Sequence, residues 1–243
     1  MVKKVAVTGS SGSIGKVLVK VLNDNGFKVI QGNSKNVDVT KISDVKRFVE
    51  KCDVLIHLAV YQNVFDTNYD NFEKVNVHGT KNVLEVCKEF KKKVILFSSE
   101  VVFRNSSDLY TKSKKAQLEI AKKYSNVEII YPPVVLDLKQ KYPWWKLMPG
   151  GIMASIGDGN KVINYIDIDK LCVYVVNLLK SNNKTSLSVE KMSRKNFLIK
   201  INNIVGGFRM PFRIPIGVLK FLLIFLRKTK YRLLLESVIE NER

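Results

Sequence analysis

Three short stretches of this 243-residue chain carry residue types able to do chemistry. Residues 110–114 read Tyr-Thr-Lys-Ser-Lys, and on a helix Tyr110 and Lys114 stand one turn apart on a single face. A tyrosine alone is a poor acid or base near neutrality, because its ordinary pKa is about 10. A close ammonium favours the phenolate, so this spacing predicts a tyrosine tuned for proton transfer. Eleven positions earlier, Ser98-Ser99 end an apolar run and offer a hydroxyl. The third stretch is Gly9-Ser10-Ser11-Gly12-Ser13-Ile14-Gly15, which follows the β-branched run Lys4–Thr8 and opens an apolar-periodic segment from Ile14 to Leu22. Glycine at every third place permits a tight turn, close backbone approach to a pyrophosphate and close helix packing. The amides at the start of the helix then hold the negative charge.

Such groups must be held by elements, and the pattern of apolar residues predicts which. Strands are expected at Lys4–Thr8, Phe27–Ile30, around Val37–Val39, Asp53–Leu58, Val94–Ser98 and Val127–Tyr131, with helices at about 14–22, 43–50, 69–90 and 110–124. Strands alternating with helices at short spacing are the mark of right-handed βαβ units, hence an α/β fold with a doubly wound parallel sheet. After Pro132-Pro133 the rhythm changes. Irregular segments are expected at 142–151, then a helix capped by Asp167 or Asp169 and running to Lys180, and a strand at Thr185–Val189. Residues 213–228 read as a very apolar helix with basic ends, too short to cross a bilayer. The C-terminal third is expected to form a small lobe over the carboxyl edge of the sheet, where open α/β folds bind ligands.

Composition narrows the classes. Forty-one Lys and Arg against 22 Asp and Glu give a formal charge of +19, which attracts anions. The lysines are scattered, in short runs such as Lys91-Lys92-Lys93, without the basic helix and interleaved aromatics of a nucleic-acid binder, so no nucleic-acid partner is expected. Cys52, Cys87 and Cys172 form no CxxC pair, and with only two histidines no metal site is expected. Isolated cysteines in apolar stretches read as small core residues in a reducing compartment, and no cleaved leader is visible before the first strand, so a cytoplasmic protein is expected.

Further motifs give the chain a family likeness. Thr8-Gly9-x-x-Gly12-x-x-Gly15, Val37-Asp38-Val39-Thr40, His57-Leu58-Ala59-Val60, Asn76-Val77-His78-Gly79-Thr80-Lys81-Asn82-Val83-Leu84-Glu85, Pro132-Pro133, and Gly157-Asp158-Gly159 followed by Tyr165-Ile166-Asp167-Ile168-Asp169 occur in order. Together they resemble the extended short-chain dehydrogenase/reductase superfamily, in its NAD-dependent epimerase/dehydratase branch, over about residues 3–235. The resemblance implies one extended domain over 1–243: a Rossmann-type NAD(P)-binding core at about 1–135 plus 167–182, and a small substrate lobe at about 136–166 plus 184–243. It implies catalysis by Ser99, Tyr110 and Lys114. Ser99 would orient the substrate oxygen, Tyr110 would exchange a proton with it, and Lys114 would also hold the nicotinamide ribose. Dinucleotide contacts are implied for Gly9, Ser11, Gly12, Ser13, Ile14, Asn33, Ser34, Lys35, Asp38, Val39, Leu58, Ala59, Val60, Asn76, Tyr110, Lys114, Pro133 and Val134. Departures from the pattern are Arg104 for a usual Gly, Tyr131 for a usual Arg, Ile163 where nucleotide-sugar enzymes often have Arg, and a short loop between Ser99 and Tyr110. Lys161, Arg209 and Arg213 are the cations left to meet a diphosphate. Dehydratases of the branch carry Asp-Glu after the Ser/Thr, and here Glu100-Val101 stand instead.

The segment after the second strand, Ile30 to Lys35, lacks the acid that selects NAD. Asn33, Ser34 and Lys35 are suited to a 2′-phosphate, so NADP is favoured, with NAD as the alternative. The expected activity is reduction of a keto group on a nucleotide-linked sugar, a 4-keto-6-deoxy UDP- or dTDP-sugar, for surface polysaccharide. The alternatives are an epimerase that retains its NAD and a non-catalytic NAD(P)-binding sensor or scaffold. The resemblance also implies a homodimer through the helices near 69–90 and 110–124. The basic apolar segment at 213–228 suits contact with a membrane surface, against the alternative of an ordinary helix of the lobe.

Overall fold

The computed structural model describes residues 3–63, 66–137, 153–156, 160–181, 186–205, 209–214 and 218. The chain divides into two compact units, Met1–Pro132 with Cys172–Ser186, and Pro133–Leu171 with Leu187–Arg243.

The first unit is built on five parallel strands in the order β2-β1-β3-β4-β5. These are β1 (Lys4–Thr8), β2 (Lys28–Gly32), β3 (Val54–His57), β4 (Lys93–Phe97) and β5 (Val127–Ile130). Val5, Ala6 and Val7 are wholly buried, as expected of a parallel strand covered on both faces. The helices between them are α1 (Ser13–Asp24), α2 (Ile42–Val49), α3 (Tyr69–Phe72), α4 (Thr80–Glu89) and α5 (Leu109–Ala121). One apolar core joins α2 and α4 to the sheet through Val45, Phe48, Leu55, Val83, Leu84 and Leu96. The chain leaves β1 in one direction for β2 and in the other for β3. The carboxyl ends of β1 and β3 therefore flank the point where strand order reverses, the usual ligand crevice of an open α/β sheet.

Two expectations change in this unit. Val37–Val39 is not a strand. Asp38 accepts hydrogen bonds from the backbone N–H (3.0 Å) and hydroxyl (2.7 Å) of Thr40, which turns the chain, while Val37 and Val39 are buried in the core. The helix expected at 69–90 is helical throughout, but its middle, Glu73–Gly79, is wound as a π-helix. Such widened turns occur often at functional sites. All three cysteines are buried thiols outside any disulfide, as small core residues.

The second unit has a three-stranded sheet of β6 (Val134–Leu136), β8 (Val162–Asp167) and β9 (Glu190–Ser193), and a parallel pair of β7 (Met153–Ile156) with β10 (Arg209–Ile214). Leu136, Tyr165, Phe197 and Ile201 form its core, the last two from α7 (Arg194–Val205). Asp167 accepts from the Asp169 N–H at 2.8 Å and so caps α6 (Ile168–Lys180), which belongs to the first unit from Cys172 onward. The strand expected at 185–189 lies later, at 190–193, where it pairs antiparallel with β8. Arg213 and Ile214 are in β10 rather than in a helix; the rest of the apolar stretch to 228, apart from Val218, lies outside the described residues, as do 142–151 and Gly157-Asp158-Gly159. Among the described residues, no helix is long and apolar enough to cross a membrane and no cluster could hold a metal ion.

Candidate functional site

At the end of β1 the chain turns at Gly9, whose φ of +69° is left-handed. A side chain there would put Cβ 2.8 Å from the Ala59 nitrogen, and one at Gly15 would put Cβ 2.3 Å from the Gly9 carbonyl oxygen. Only glycine lets the turn lie this close to both α1 and the loop after β3. Ser10 is tied back by two 3.0 Å bonds, from its N–H and from its hydroxyl, to the Gly32 carbonyl. Ser11, Gly12 and Ser13 are exposed, Ile14 is half-buried, and no side chain caps α1 or places an acid in its first turn. The amide-lined turn therefore fits a pyrophosphate by space and by dipole.

The turn after β2 is closed by its own side chains. The N–H of Asn33 donates to Asn36 Oδ1 at 2.7 Å, and Asn33 Oδ1 accepts from the Lys35 N–H at 2.9 Å. Asn33 thus keeps only its amide N–H groups for a ligand, beside the exposed Ser34 and Lys35. Asp38 is held below the usual carboxylate range, first by its bond to Thr40. Val39 faces the core and its carbonyl accepts from Asn82 at 3.0 Å, so its side chain is not offered to a ligand. After β3, the Leu58 and Ala59 N–H groups donate to the Thr8 hydroxyl at 3.2 and 3.3 Å, and Val60 is exposed.

Asn76 departs from the expected dinucleotide contact. It is fully buried, and the Tyr61 N–H donates to its Oδ1 at 2.7 Å while its Nδ2 donates to the Tyr61 carbonyl and the Ser113 hydroxyl, both at 2.9 Å. Both its N–H groups and one lone pair of Oδ1 are engaged, so Asn76 braces the loop after β3 against α5. The π-helical winding brings it there.

Asp108 caps α5, accepting from the Thr111 N–H at 2.8 Å and the Thr111 hydroxyl at 2.7 Å, which sets Tyr110 in the first turn. Ser99 stands just beyond β4, accepts from the Val101 N–H at 3.3 Å, and is near enough to the Tyr110 hydroxyl to favour its phenolate. The structure thus brings Ser99 and Tyr110 together. Lys114 lies in the same helix, almost wholly buried, with Nζ donating to the Phe97 carbonyl at 2.9 Å and to the Gln117 side-chain carbonyl. Its electrostatic role differs from the one expected. Burial pushes the Tyr110 hydroxyl up to about 12, with Asp108 adding to it and Ser99 opposing. Burial likewise holds the Lys114 amine down to about 7. Desolvation penalises both charged forms, so Tyr110 keeps its proton. Pro133 and Val134 belong to the second unit, Pro133 buried and Val134 half-buried.

Sequence reasoning missed Gln117 and the buried path from it through Thr80 and His57 to Thr8. The signal was present, since Gln117 follows Lys114 by three positions on one helix.

A five-stranded parallel sheet with a glycine turn at its switch point defines a Rossmann-type α/β fold. Residues 3–118 match the family described as "RmlD substrate binding domain". The chain is 32% identical over 106 residues to dTDP-4-dehydrorhamnose reductase of Mycolicibacterium smegmatis, a match covering 42% of this chain and 32% of that one. It is 27% identical over 207 residues to GDP-6-deoxy-D-talose 4-dehydrogenase of Aggregatibacter actinomycetemcomitans, covering 72% of this chain and 70% of that one. The fold superimposes with a TM-score of 0.70 and 19% identity on dTDP-4-dehydrorhamnose reductase of Bacillus anthracis in complex with NADP, over 88% of this chain and 84% of that one. The chain spans about a third of the length of the first two curated relatives, 32% and 33%. The fold is the one these solved structures share, and in sequence the chain is similar to nucleotide-sugar reductases, dehydrogenases and dehydratases.

Proposed function

We propose that this protein is an NAD(P)-dependent reductase of a keto group on a nucleotide-linked sugar, a 4-keto-6-deoxy UDP- or dTDP-sugar, in the making of surface polysaccharide. The observation that carries the reading is Tyr110, beside Ser99 and kept protonated by burial, in the first turn of α5 beyond the end of β4. An acid held protonated suits reduction, which ends with a proton delivered to the former carbonyl oxygen. The relatives' names support the substrate class.

The first unit would be the dinucleotide core and the second the substrate lobe. The backbone N–H groups of Ser11, Ser13 and Ile14 would hold the pyrophosphate, since those of Ser10 and Gly12 donate to the Gly32 and Gly9 carbonyls, and Asn33, Ser34 and Lys35 would hold a 2′-phosphate, which favours NADP. When bound, the reduced dinucleotide supplies hydride to the keto carbon. Ser99 fixes the direction of the Tyr110 hydroxyl. Tyr110 then gives its proton to the carbonyl oxygen, which becomes a secondary alcohol, and a solvent proton restores the phenol. The Lys114 amine, held down to about 7 by burial, is partly protonated near neutral pH, and its charged form would favour the transient phenolate. Glu100 is bound by Arg104 at 2.8 Å. It stands where a dehydratase has its acid pair, and this engagement supports reduction over dehydration. We further propose a homodimer through the helices near 69–90 and 110–124, and contact of the basic C-terminal stretch with a membrane surface.

The test is oxidation of NADPH by purified protein with a panel of UDP- and dTDP-linked 4-keto-6-deoxy sugars, beside Tyr110→Phe. Oxidation that disappears in the variant is expected. Absence of oxidation with NAD retained through purification would replace the reductase by an epimerase, and weak cofactor binding without turnover by a sensor.

A further inference from the structure

A continuous hydrogen-bonded path runs through the interior of the first unit from Lys114 to the phosphate turn. Lys114 Nζ donates to the Gln117 side-chain carbonyl, and Gln117 Nε2 donates to the Thr80 hydroxyl oxygen at 2.7 Å. That oxygen lies 3.0 Å from His57 Nε2, and His57 Nδ1 lies 2.7 Å from the Thr8 hydroxyl. Every member is buried: Thr8, Lys114 and Gln117 are 2%, 2% and 1% exposed, His57 1% and Thr80 0%.

Counting donors fixes the direction of each bond. The Thr8 oxygen already accepts from the Leu58 and Ala59 N–H groups, so its own hydrogen goes to His57 Nδ1. His57 Nε2 then carries the ring proton and donates it to Thr80. The Thr80 oxygen takes that bond and the one from Gln117, which fills its two lone pairs. Gln117 must therefore turn its nitrogen to Thr80 and its carbonyl to Lys114. A flipped amide would set an N–H donor against the Lys114 ammonium, which has only hydrogens to offer.

We infer that Gln117 is a positioning residue: its amide, locked by the Thr80–His57–Thr8 path, aims the Lys114 amine and tunes its protonation. The inference rests on the reductase reading for its part in turnover, though not for its effect on Lys114. Two carbonyls, those of Phe97 and Gln117, occupy two valences of Nζ and leave a third for a ligand. A neutral carbonyl favours the ammonium less than a carboxylate would, which accords with an amine held near neutrality by burial. Of the ionisable groups on elements around α5, His57 on β3 is buried on the same path, where the Lys114 charge adds to burial in holding its ring neutral. Tyr110 shares its helix. Tyr69, Glu73, His78 and Glu100 are partly or fully exposed, and Glu100 is engaged by Arg104.

The experiment is a titration of Lys114 by NMR in protein carrying ¹³C at lysine Cε, without substrate, for wild type, Gln117→Met and Gln117→Glu. Lys114→Met assigns the signal. Gln117→Met should lower the midpoint, since an acceptor of the ammonium is gone. Gln117→Glu should raise it by more than about one pH unit, since an opposite charge lies against the amine. The pH dependence of kcat for NADPH oxidation with the responsive keto sugar should move in the same directions. If Gln117→Met does not fold, Gln117→Glu alone decides. A Lys114 midpoint unchanged in the folded variants overturns the inference. Midpoints that move while wild-type protein oxidises no NADPH with any sugar in the panel leave Gln117 as the positioning residue and remove the reductase reading instead.

Discussion

At the residue scale, the acid–base chemistry follows from burial more than from charge pairing. Tyr110 and Lys114 stand on one helix, yet the amine is turned to two carbonyls and the phenol to Ser99. Tyr110→Phe is accordingly expected to cut keto-sugar reduction by about 10²–10⁴-fold while NADPH binding changes far less, by kinetics against fluorescence titration. His57 gives a second expectation. Burial, with Lys114 adding to it, depresses its folded-state value to about 3 from 6.5. The unfolded chain therefore binds the proton first on acidification. The folded state bears no penalty above about 6.5, loses stability as pH falls below it, and bears the full penalty near 3. Urea unfolding at several pH values between 7 and 4 should show that loss, and His57→Gln should flatten it.

At the element scale, the turn between β1 and α1 is the least replaceable piece. Gly15→Ala sets Cβ against the Gly9 carbonyl at 2.3 Å, backbone against backbone, so the turn must open. NADPH binding should be lost together with several degrees of Tm. The opposite sign is expected at the end of α4, where Lys91 adopts a left-handed φ of 53° while its N–H donates to the Lys88 carbonyl at 3.1 Å. Lys91 is exposed, and Lys91→Gly should stabilise by about 1 kcal/mol, read as a rise in Tm without change in turnover. The π-helical stretch explains why one long amphipathic pattern at 69–90 needed correction: its period stayed helical while the widened turn around Asn76 answered to Tyr61 and Ser113, which lie far along the chain.

At the scale of the whole molecule, the chain carries a charge of +19 and the proposed cofactor is an anion. NADPH should bind more weakly between low salt and 0.5 M salt than neutral steering would allow, because ions screen the field of scattered lysines. Isothermal titration at two ionic strengths checks this. Sedimentation tests the proposed dimer.

The α/β class, the parallel order of the sheet, the glycine turn and the Tyr110–Lys114 spacing were all legible in residues local to one another. Periodicity and motif spacing are properties of a single stretch, and they decide which backbone forms and which side chains share a face. The absent strand at 37–39 was misread because Val37 and Val39 are buried as strand residues would be, while an aspartate turn governs the backbone. The state of the site belongs to tertiary structure. The depressed amine, the protonated phenol, the commitment of Asn76 and the path from Gln117 to Thr8 depend on desolvation and on partners contributed by β1, β3, α4 and α5. A carbonyl such as that of Phe97 has no side-chain identity to read in a sequence, and only the folded chain brings it to Lys114.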